Sequence, residues 1–189
     1  ILQAWYPGQS GGLAVADVLF GDFNPSGKLP VTFYRNTDQL PDFEDYSMKN
    51  RTYRYMTEAP LFPFGYGLSY TTFDISKGRL NKKTISAGQG LNFKVNVKNT
   101  GKYDGAEVVQ VYVRKVDDTE GPIKSLRAFR RVPLKAGETC VVSIDLLPTT
   151  FEFFDPTTNT MRIMPGKYEI MYGNSSDVPS GNKLSVTLR

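Results

Sequence analysis

Residues 91–98 read LNFKVNVK and decide the fold, because apolar and polar side chains alternate there without a break. Successive side chains of a β-strand point to opposite faces, so Leu91, Phe93, Val95 and Val97 share one face. The intervening asparagines and lysines share the other face. This period of two predicts a strand with one face in a core and the other toward solvent.

Similar short runs continue toward the C-terminus and are separated by turn-forming residues. In one of them, Val109, Val111 and Val113 alternate with larger polar or aromatic residues. The remaining runs of β character are 125–132, 140–146, 151–154, 161–164, 167–172 and 184–188. Turn signals lie at 99–101, 136–138, 155–156 and 165–166. About seven short strands at this spacing predict that residues 71–189 form an immunoglobulin-like β-sandwich.

Residues 1–35 have a different character. The small and apolar residues of 13–20 predict a short, well-buried helix, and Gly21 is placed to end it. Residues 24–27 (Asn-Pro-Ser-Gly) predict a tight turn, and 28–33 a short extended piece. We interpret this zone as a short α/β remnant. Because the chain begins at Ile1 and this zone has no sheet of its own, we expect a fragment of a larger protein.

Residues 36–70 form a connector without a clear period. They contain Pro41, Pro60 and Pro63 together with eight tyrosine or phenylalanine residues. A segment this rich in aromatic residues is predicted to pack against a folded surface, since a flexible tether would expose them all to water. The predicted fold is therefore mainly β: a sandwich at 71–189, preceded by the remnant at 1–35 and the connector at 36–70.

The absence of histidine from the chain restricts the chemistry most. It excludes Ser-His-Asp and Cys-His nucleophile systems and histidine-ligated zinc. The single cysteine, Cys140, lies in a strand-like run and is predicted to be an unreactive thiol on a strand face. We predict neither a cofactor nor a metal site, although carboxylate chemistry and oxygen ligation of calcium stay open at this point.

The net charge of +4 is unevenly distributed along the chain. Residues 1–70 contain five basic and seven acidic groups, whereas residues 71–189 contain 18 and 12. The basic residues are scattered, and we interpret the densest group, Arg127, Arg130 and Arg131, as solvated charges on a strand. No nucleic-acid partner is predicted, because such partners need clustered cations on one face. No membrane partner is predicted either, since no apolar run approaches the about 18 residues of a membrane span.

Two acidic groups are the candidates for catalysis or metal binding. Asp42, Glu44 and Asp45 would suit acid–base work in glycoside hydrolysis, but a solvated loop is the favoured interpretation because catalytic carboxylates need a rigid, partly desolvated setting. The second group precedes Gly121 and lacks the spacing of a calcium loop, so a polar loop is again favoured. It consists of Asp117, Asp118 and Glu120.

Glycines and aromatic residues near the N-terminus give weaker signals. Residues 8–12 (Gly-Gln-Ser-Gly-Gly) precede the predicted helix and would suit an anion at its N-terminus, but no Walker lysine follows. A turn that allows close packing is the alternative. Trp5 and Tyr6 would stack on a sugar ring, or would lie at an interface. The aromatic residues of the connector are too many for one sugar site and favour interface packing. They are Tyr46, Tyr53, Tyr55, Phe62, Phe64, Tyr66 and Tyr70.

A series of motifs in order along nearly the whole chain resembles the C-terminal region of glycoside hydrolase family 3. The motifs are WYPGQSGG (5–12), ADVLFGD (16–22), NPSGKLP (24–30), RTYRY (51–55), PFGYGLSYT (63–71), VKNTG (97–101), GAEVVQVYV (105–113), LRAF (126–129) and PGKY (165–168). The first three resemble the end of the family's second domain, and the rest its fibronectin type III-like domain with the lead-in. RTYRY is similar to the β-xylosidase-like branch. One departure is Phe154-Asp155, where many relatives have Trp-Asp.

The resemblance implies a parent enzyme that hydrolyses terminal β-xylosides or β-glucosides with retention. It places an aspartate nucleophile in an N-terminal barrel and a glutamate acid/base in the second, α/β sandwich domain. Neither motif occurs in this chain, so no catalytic residue is assigned here. The resemblance implies the barrel and the α/β sandwich domain as partners, an oligo- or polysaccharide substrate through the parent, and a periplasmic or secreted location.

Two other classes of function stay open. The chain would serve as a carbohydrate-binding module if its aromatic residues met sugars, because binding modules often share the sandwich fold, although fold alone does not grant function. It would serve as a protein-interaction or homodimerisation domain if the connector exposed an apolar patch. We also expect residues 1–35 to be less ordered, or to pack unusually on the sandwich.

Overall fold

The computed structural model describes all residues from Ile1 to Arg189. Three helical pieces precede the sheets: α1 (Gly11–Phe20), a 3₁₀ turn (Thr37–Gln39) and α2 (Thr52–Tyr55). The strands are β1 (Phe73–Leu80), β2 (Thr84–Ile85), β3 (Leu91–Asn99), β4 (Gly105–Lys115), β5 (Ser125–Leu134), β6 (Thr139–Leu146), β7 (Glu152–Asp155), β8 (Thr160–Ile163), β9 (Gly166–Gly173) and β10 (Lys183–Leu188). A second 3₁₀ turn, Pro148–Phe151, leads into β7.

The strands form a sandwich of two sheets with an additional hairpin. One sheet has three strands in the order β1-β3-β6, and the other has five in the order β2-β10-β9-β4-β5. All pairs within these sheets are antiparallel except β10 with β2. Strands β7 and β8 pair separately as a hairpin. The predicted mainly β sandwich of fibronectin type III type is therefore confirmed.

The core lies between the two sheets and follows the alternation seen in the sequence. Phe93, Val95 and Val97 of β3 are completely buried and meet Val109 and Val111 of β4 in one apolar cluster. Each such side chain contributes about 1.5–3 kcal/mol when it leaves water. The first strand that the sequence predicted is thus the centre of the three-stranded sheet.

Strands β1 and β2 were not among the predicted runs. Strand β1 is only partly buried along its length and has an irregular register against β3 between Ser76 and Arg79. This irregularity breaks the period of two that identifies the other strands. Strand β2 has two residues, which is too short for any periodic signal.

Helix α1 is where the expectation was wrong in part. Gly21 has φ +87° and its N–H bonds to the Val18 carbonyl, as predicted for a terminating glycine. The helix is not well buried, however, because Leu13, Leu19 and Phe20 are 66%, 65% and 84% exposed. No strand of this chain lies against that apolar face. With ten residues, α1 is the longest helix, and none of the helices has the length and hydrophobicity to cross a membrane.

Candidate functional site: the junction between connector and sandwich

Buried polar contacts are concentrated on the outer face of the five-stranded sheet, where segments from the N-terminal part of the chain lie across β4. We call this region the junction; it comprises residues 24–33 and 53–67 together with β4 and the loops at 123–126 and 174–177. Outward-pointing side chains of a sandwich strand normally meet solvent. In β4, Gln110 and Tyr112 point outward and yet are buried, because the connector covers them.

Aromatic rings of the connector supply the apolar part of this cover. The ring of Tyr53 stacks on Phe64 with centroids 4.3 Å apart and meets the edge of Tyr112 at 5.8 Å. Its hydroxyl accepts a hydrogen bond from the backbone N–H of Leu126 at 3.0 Å. Tyr53 therefore joins connector and sheet through both its ring and its hydroxyl. The prediction that the connector's aromatic residues pack against a folded surface is borne out for this residue.

The Gln110 side chain forms hydrogen bonds with the backbone of the connector that covers it. Its Nε2 donates to the carbonyls of Gly65 at 3.1 Å and Asn174 at 2.7 Å, and its Oε1 accepts from the Tyr112 hydroxyl at 2.5 Å. Gly65 has φ +78°, and a Cβ at that position would overlap the Gln110 amide oxygen. The glycine is therefore required both by its backbone conformation and by the close approach of the side chain below it.

Lys28 and Glu107 form a buried ion pair near the start of β4. Their Nζ and Oε1 atoms are 2.7 Å apart, and the two side chains are only 12% and 6% exposed. The ammonium also donates to the Gly67 carbonyl at 3.0 Å. The carboxylate accepts from the Val108 N–H at 2.7 Å and from the Asn174 amide at 3.1 Å. Through these partners, the buried ion pair joins residues 1–35, the connector and the sandwich.

Backbone hydrogen bonds fix the path of the two covering segments. Leu29 donates to the Tyr66 carbonyl and accepts from the Gly65 N–H, both at 2.8 Å. Ser176 donates to the Phe64 carbonyl at 2.8 Å, and Ile123 donates to the Arg54 carbonyl at 2.8 Å. Phe33 and Phe62 form an isolated antiparallel bridge. The segments thus lie on the sandwich as extended backbone with defined partners.

Burial shifts the titration of several groups in and near the junction. Desolvation, with a smaller contribution from Tyr53, raises the pKa of Tyr112 far above its usual value. Burial also raises the pKa of Tyr168 to about 12 and lowers the pKa of the Lys124 ammonium. Each of these groups donates to a neutral oxygen: Tyr112 to the Gln110 amide, Lys124 to the Ser176 carbonyl and Tyr168 to the Met164 carbonyl.

The first acidic group, Asp42, Glu44 and Asp45, lies in exposed turns of the connector. Asp42 accepts from the Glu44 N–H at 2.9 Å, and Asp45 accepts from the Ser47 N–H at 2.8 Å. These carboxylates close local turns, and the backbone bond from Ser47, with smaller contributions, lowers the pKa of Asp45. A lowered pKa is unsuited to a general acid at neutral pH.

The second acidic group follows the same pattern. Asp118 accepts from the Gly121 N–H at 2.8 Å within its own loop. No group of three or more acidic, histidine or cysteine side chains in the structure is arranged to hold a metal ion. The assignment of no catalytic residue to this chain stays a prediction.

The interpretation of Arg127 as a solvated charge was wrong. Its guanidinium lies over the ring of Phe153, 4.9 Å from the centroid, and donates to the Glu152 carbonyl. Burial, reinforced by the nearby Arg54, lowers the pKa of this guanidinium. A planar, weakly hydrated guanidinium can stack on an aromatic ring, and a charge pattern in sequence does not reveal such a contact.

The two neighbouring arginines are exposed, as predicted. Arg130 donates to the Ser143 carbonyl at 3.0 Å, and Arg131 donates to the Ser26 hydroxyl at 3.0 Å. Cys140 lies on β6, and burial, with a contribution from Glu138, raises the pKa of its thiol. This fits the prediction of an unreactive thiol on a strand face.

The aromatic candidates near the N-terminus, Trp5 and Tyr6, lie at the surface. Tyr6 is fully exposed and Trp5 is half exposed. The glycines before α1 form a turn in which Gly11 donates to the Gly8 carbonyl at 2.9 Å and lies against Pro7. Close packing of the helix on a neighbouring strand, which was the reason given for these glycines, stays a prediction.

The sequence did not single out Lys28, Glu107 and Gln110 as a set. Each lies in a motif that carried the resemblance, at 24–30 or 105–113. A signal was present in β4, where Gln110 alternates with the inward valines and so occupies an outward position of the strand. Only the covering segments turn that outward position into a buried one.

Fold and junction together define a class of protein: a fibronectin type III-like sandwich joined through buried polar contacts to the helical and extended segments that precede it. The model for the fibronectin type III-like domain matches residues 107–176, and that for the glycosyl hydrolase family 3 C-terminal domain matches residues 1–70. The chain belongs to glycoside hydrolase family 3, in its C-terminal region.

Individual relatives agree with this assignment. A xylan 1,4-beta-xylosidase of Xylanibacter ruminicola is 56% identical over 100% of this chain and 22% of its own length. A periplasmic beta-glucosidase of Salmonella typhimurium is 39% identical over 96% of this chain and 26% of its own. The solved beta-glucosidase of Bifidobacterium adolescentis is 33% identical with a TM-score of 0.84, covering 98% of this chain and 29% of that one. The chain thus spans about a quarter of the length of these relatives.

Proposed function

We propose that this chain is the non-catalytic brace of a family 3 glycosidase, holding the end of the α/β sandwich domain against the fibronectin type III-like domain. The observation that carries the proposal is the buried Lys28–Glu107 pair, because it ties the first zone to the sandwich at 2.7 Å. A buried pair with satisfied partners fixes one geometry, since any displacement leaves a charge unpaired in a low-dielectric site. The proposed divisions are 1–35, 36–70 and 71–189.

The parent enzyme would hydrolyse terminal β-xylosides or β-glucosides with retention. Support comes from the names of the relatives, a xylosidase at 56% identity and a beta-glucosidase at 39%. Its barrel and α/β sandwich domain would be the partners of this chain, and an oligo- or polysaccharide would reach it only through them. The exposed apolar face of α1 supports such a partner, because Leu13, Leu19 and Phe20 lie open to solvent. A periplasmic or secreted location is supported by the relative that is named periplasmic.

The proposal is tested by separating hydrolysis from bracing. The 189-residue chain is assayed on nitrophenyl β-xyloside and β-glucoside, and no hydrolysis above the buffer rate is expected. The longer enzyme that contains this chain is then compared with its Lys28→Met variant by limited proteolysis. Faster cleavage within 36–70 is expected in the variant, because the connector loses its anchor. Hydrolysis by the short chain, or unchanged cleavage in the variant, would contradict the proposal.

Homodimerisation is tested separately by sedimentation of the chain over a concentration series. A strict monomer at all concentrations argues against it.

A further inference from the structure

Five exposed basic side chains lie together at one end of the three-stranded sheet, in β1, β3 and the loop that follows β1. The ion pairs of the chain use Lys28, Arg162 and Lys183, so none of the five has an acidic partner. Their positive charge is therefore not neutralised within the chain. We call this group the basic patch; it consists of Lys77, Arg79, Lys82, Lys83 and Lys94.

Two members of the patch, Arg79 and Lys94, lie directly opposite each other on neighbouring strands. Side chains in such positions have Cβ atoms about 4.5–5.5 Å apart, so like charges there destabilise the sheet. On its other side Lys94 faces Ser143 of β6, which carries no charge to offset the repulsion. Further along β3, Lys98 faces Asp74, the opposite charge that stabilises a sheet. The pair of Arg79 and Lys94 thus works against folding, which indicates a role outside the fold.

A β-bulge brings Arg79 to this position. Ser76 pairs with Asn96 and Arg79 pairs with Lys94, so β1 has one residue more than β3 between the two pairs. Without the extra residue Gly78 would face Lys94, and Arg79 would point into the sandwich. Bulges often re-aim a side chain in this way, and they are features of a structure with a purpose.

The bulge has an unfavourable backbone conformation and a specific anchor. Lys77 has φ +56°, a left-handed conformation that costs free energy in a residue with a side chain. The N–H of Gly78 donates to the hydroxyl of Tyr172 at 3.0 Å, and a Cβ at position 78 would overlap that ring. Tyr172 is itself buried in the core. A core side chain therefore holds the bulge, and with it the position of Arg79.

The loop that contains Lys82 and Lys83 is also fixed to the sandwich. The N–H of Asn81 donates to the Asn92 carbonyl at 3.1 Å, and the N–H of Asn92 donates to the side-chain oxygen of Asn81 at 2.8 Å. The Lys83 carbonyl accepts from the N–H of Thr187 at 2.9 Å. Both sheets thus anchor the patch, and its charges are gathered before any ligand binds, which lowers the entropic cost of binding.

The rest of this sheet face limits the class of ligand. The outward side chains of β1, β3 and β6 include no aromatic ring, whereas proteins that bind single-stranded nucleic acid stack bases on such rings. The acidic side chains of these strands have local partners. Asp74 accepts from the Ser76 hydroxyl at 2.7 Å, and Asp145 accepts from the Asn92 amide at 2.6 Å. An open cationic face without rings matches a broad anionic surface.

We propose that the basic patch docks this chain on a surface of anionic phospholipids, with lipid phosphates at Arg79 and Lys94. Both side chains donate to phosphate oxygens, and an anion between them removes their repulsion. Groups of about four to eight basic residues bind anionic lipid surfaces by this attraction.

The contact is peripheral, so it needs no apolar span. The expectation of no membrane partner rested on the lack of such a span. The junction covers the five-stranded sheet, whereas Lys94 lies on the outer face of the three-stranded sheet. Docking on lipid therefore leaves the bracing contacts in place.

The test is co-sedimentation of the 189-residue chain with vesicles of phosphatidylcholine and phosphatidylglycerol in equal parts, and with vesicles of phosphatidylcholine alone. We expect binding to the anionic vesicles only. Arg79→Gln and Lys94→Gln should each lower the partition coefficient about fivefold, and the double variant about 25-fold, because each basic residue near the lipid contributes separately. Raising the salt from about 0.1 M to about 1 M should release the chain, because the Debye length falls from about 10 Å to 3 Å.

Lys102→Gln is the matched control, because it removes the same charge at an exposed position beyond the far end of β3. About 16 Å of strand separates Lys94 from that end, which exceeds the Debye length at the lower salt concentration. This variant should bind as the parent chain does. Lys94→Arg keeps the charge and should keep the binding. The glutamine variants should unfold in urea no earlier than the parent, since they relieve a repulsion.

The proposal is overturned if the anionic vesicles do not retain the chain, or if neutral vesicles retain it equally. Equal losses in Lys94→Gln and Lys102→Gln would also contradict it, because binding would then follow net charge and not the patch. A single-stranded oligonucleotide that displaces the chain from the vesicles at equal phosphate concentration would show that nucleic acid is the better ligand. The bracing role is measured by proteolysis of the connector, so the two proposals fail independently.

Discussion

Breaking the Lys28–Glu107 ion pair is the most direct test of how strongly the junction stabilises the fold. In Lys28→Met, the Glu107 carboxylate stays 6% exposed but loses the ammonium 2.7 Å away. Removing one partner of a buried ion pair typically costs about 3–5 kcal/mol, because the remaining charge is left uncompensated. The full figure applies with little reduction for solvent screening, since both side chains are nearly buried. We expect the free energy of unfolding to fall by about this amount.

The double variant separates the pair interaction from other effects of each substitution. Glu107→Gln keeps an oxygen that accepts from the Val108 N–H, so it removes chiefly the charge. In Lys28→Met/Glu107→Gln no buried charge remains unpaired. The combined loss is therefore expected to be smaller than the sum of the single losses, with a coupling of about 2 kcal/mol. If either single variant fails to fold, the double variant should restore folding.

The assay is urea unfolding followed by circular dichroism, together with hydrogen exchange at the Leu29 and Gly65 amides that hold the covering segments. Lys183→Met is the matched control. Its pair with Glu169 spans 3.6 Å, with the side chains 45% and 26% exposed, so a loss of at most about 1 kcal/mol is expected. A coupling below about 0.5 kcal/mol, or equal losses in Lys28→Met and the control, would refute the reasoning.

Three further predictions follow from other contacts. Gly65→Ala should lower the unfolding midpoint in urea by more than Gly137→Ala does. Both glycines have positive φ, but only a Cβ at position 65 would overlap a side chain, at a cost of about 1–3 kcal/mol. Equal effects of the two substitutions would contradict this. Because burial raises the pKa of Tyr168 to about 12 from 10.0, the folded state holds this proton longer, so stability should decline from pH 10 to about 12. Tyr168→Phe should remove this part of the decline from alkaline unfolding curves and leave the part that comes from Tyr112, whereas Tyr103→Phe, at an exposed site, should change neither part. The Cys140 thiol, whose pKa burial raises, should react with a disulfide reagent at neutral pH more slowly in the folded chain than in urea; equal rates would exclude the effect.

The sandwich was predictable where each strand has one face in the core. In β3 the alternation from Leu91 to Val97 is complete, and the structure buries those four side chains. Strand β1 was not predicted, because its irregular register against β3 interrupts the period. Helix α1 was predicted and ends at Gly21 as expected, but its burial was not. The small and apolar residues of α1 indicate that the helix is suited to burial and not whether this chain provides the surface that buries it.

The candidate site was less predictable, because its parts are far apart in the chain. Gln110 bonds to Gly65 across 45 residues, and the Tyr53 hydroxyl meets the Leu126 amide across 73. Local patterns carry no information about such pairings. Arg127 shows the same limit, since its place over Phe153 depends on the neighbouring strands and on the hairpin.

By itself the sequence determined the strand periodicity, the glycine that ends α1, and the motifs that identify the family. These are properties of neighbouring residues, and they act through backbone preference and the two faces of each strand. Only the tertiary structure decided that the outer face of β4 is a buried polar junction. The covering segments remove water from Glu107, Gln110 and Tyr112, and once water is gone each of these groups must find its partner within the protein.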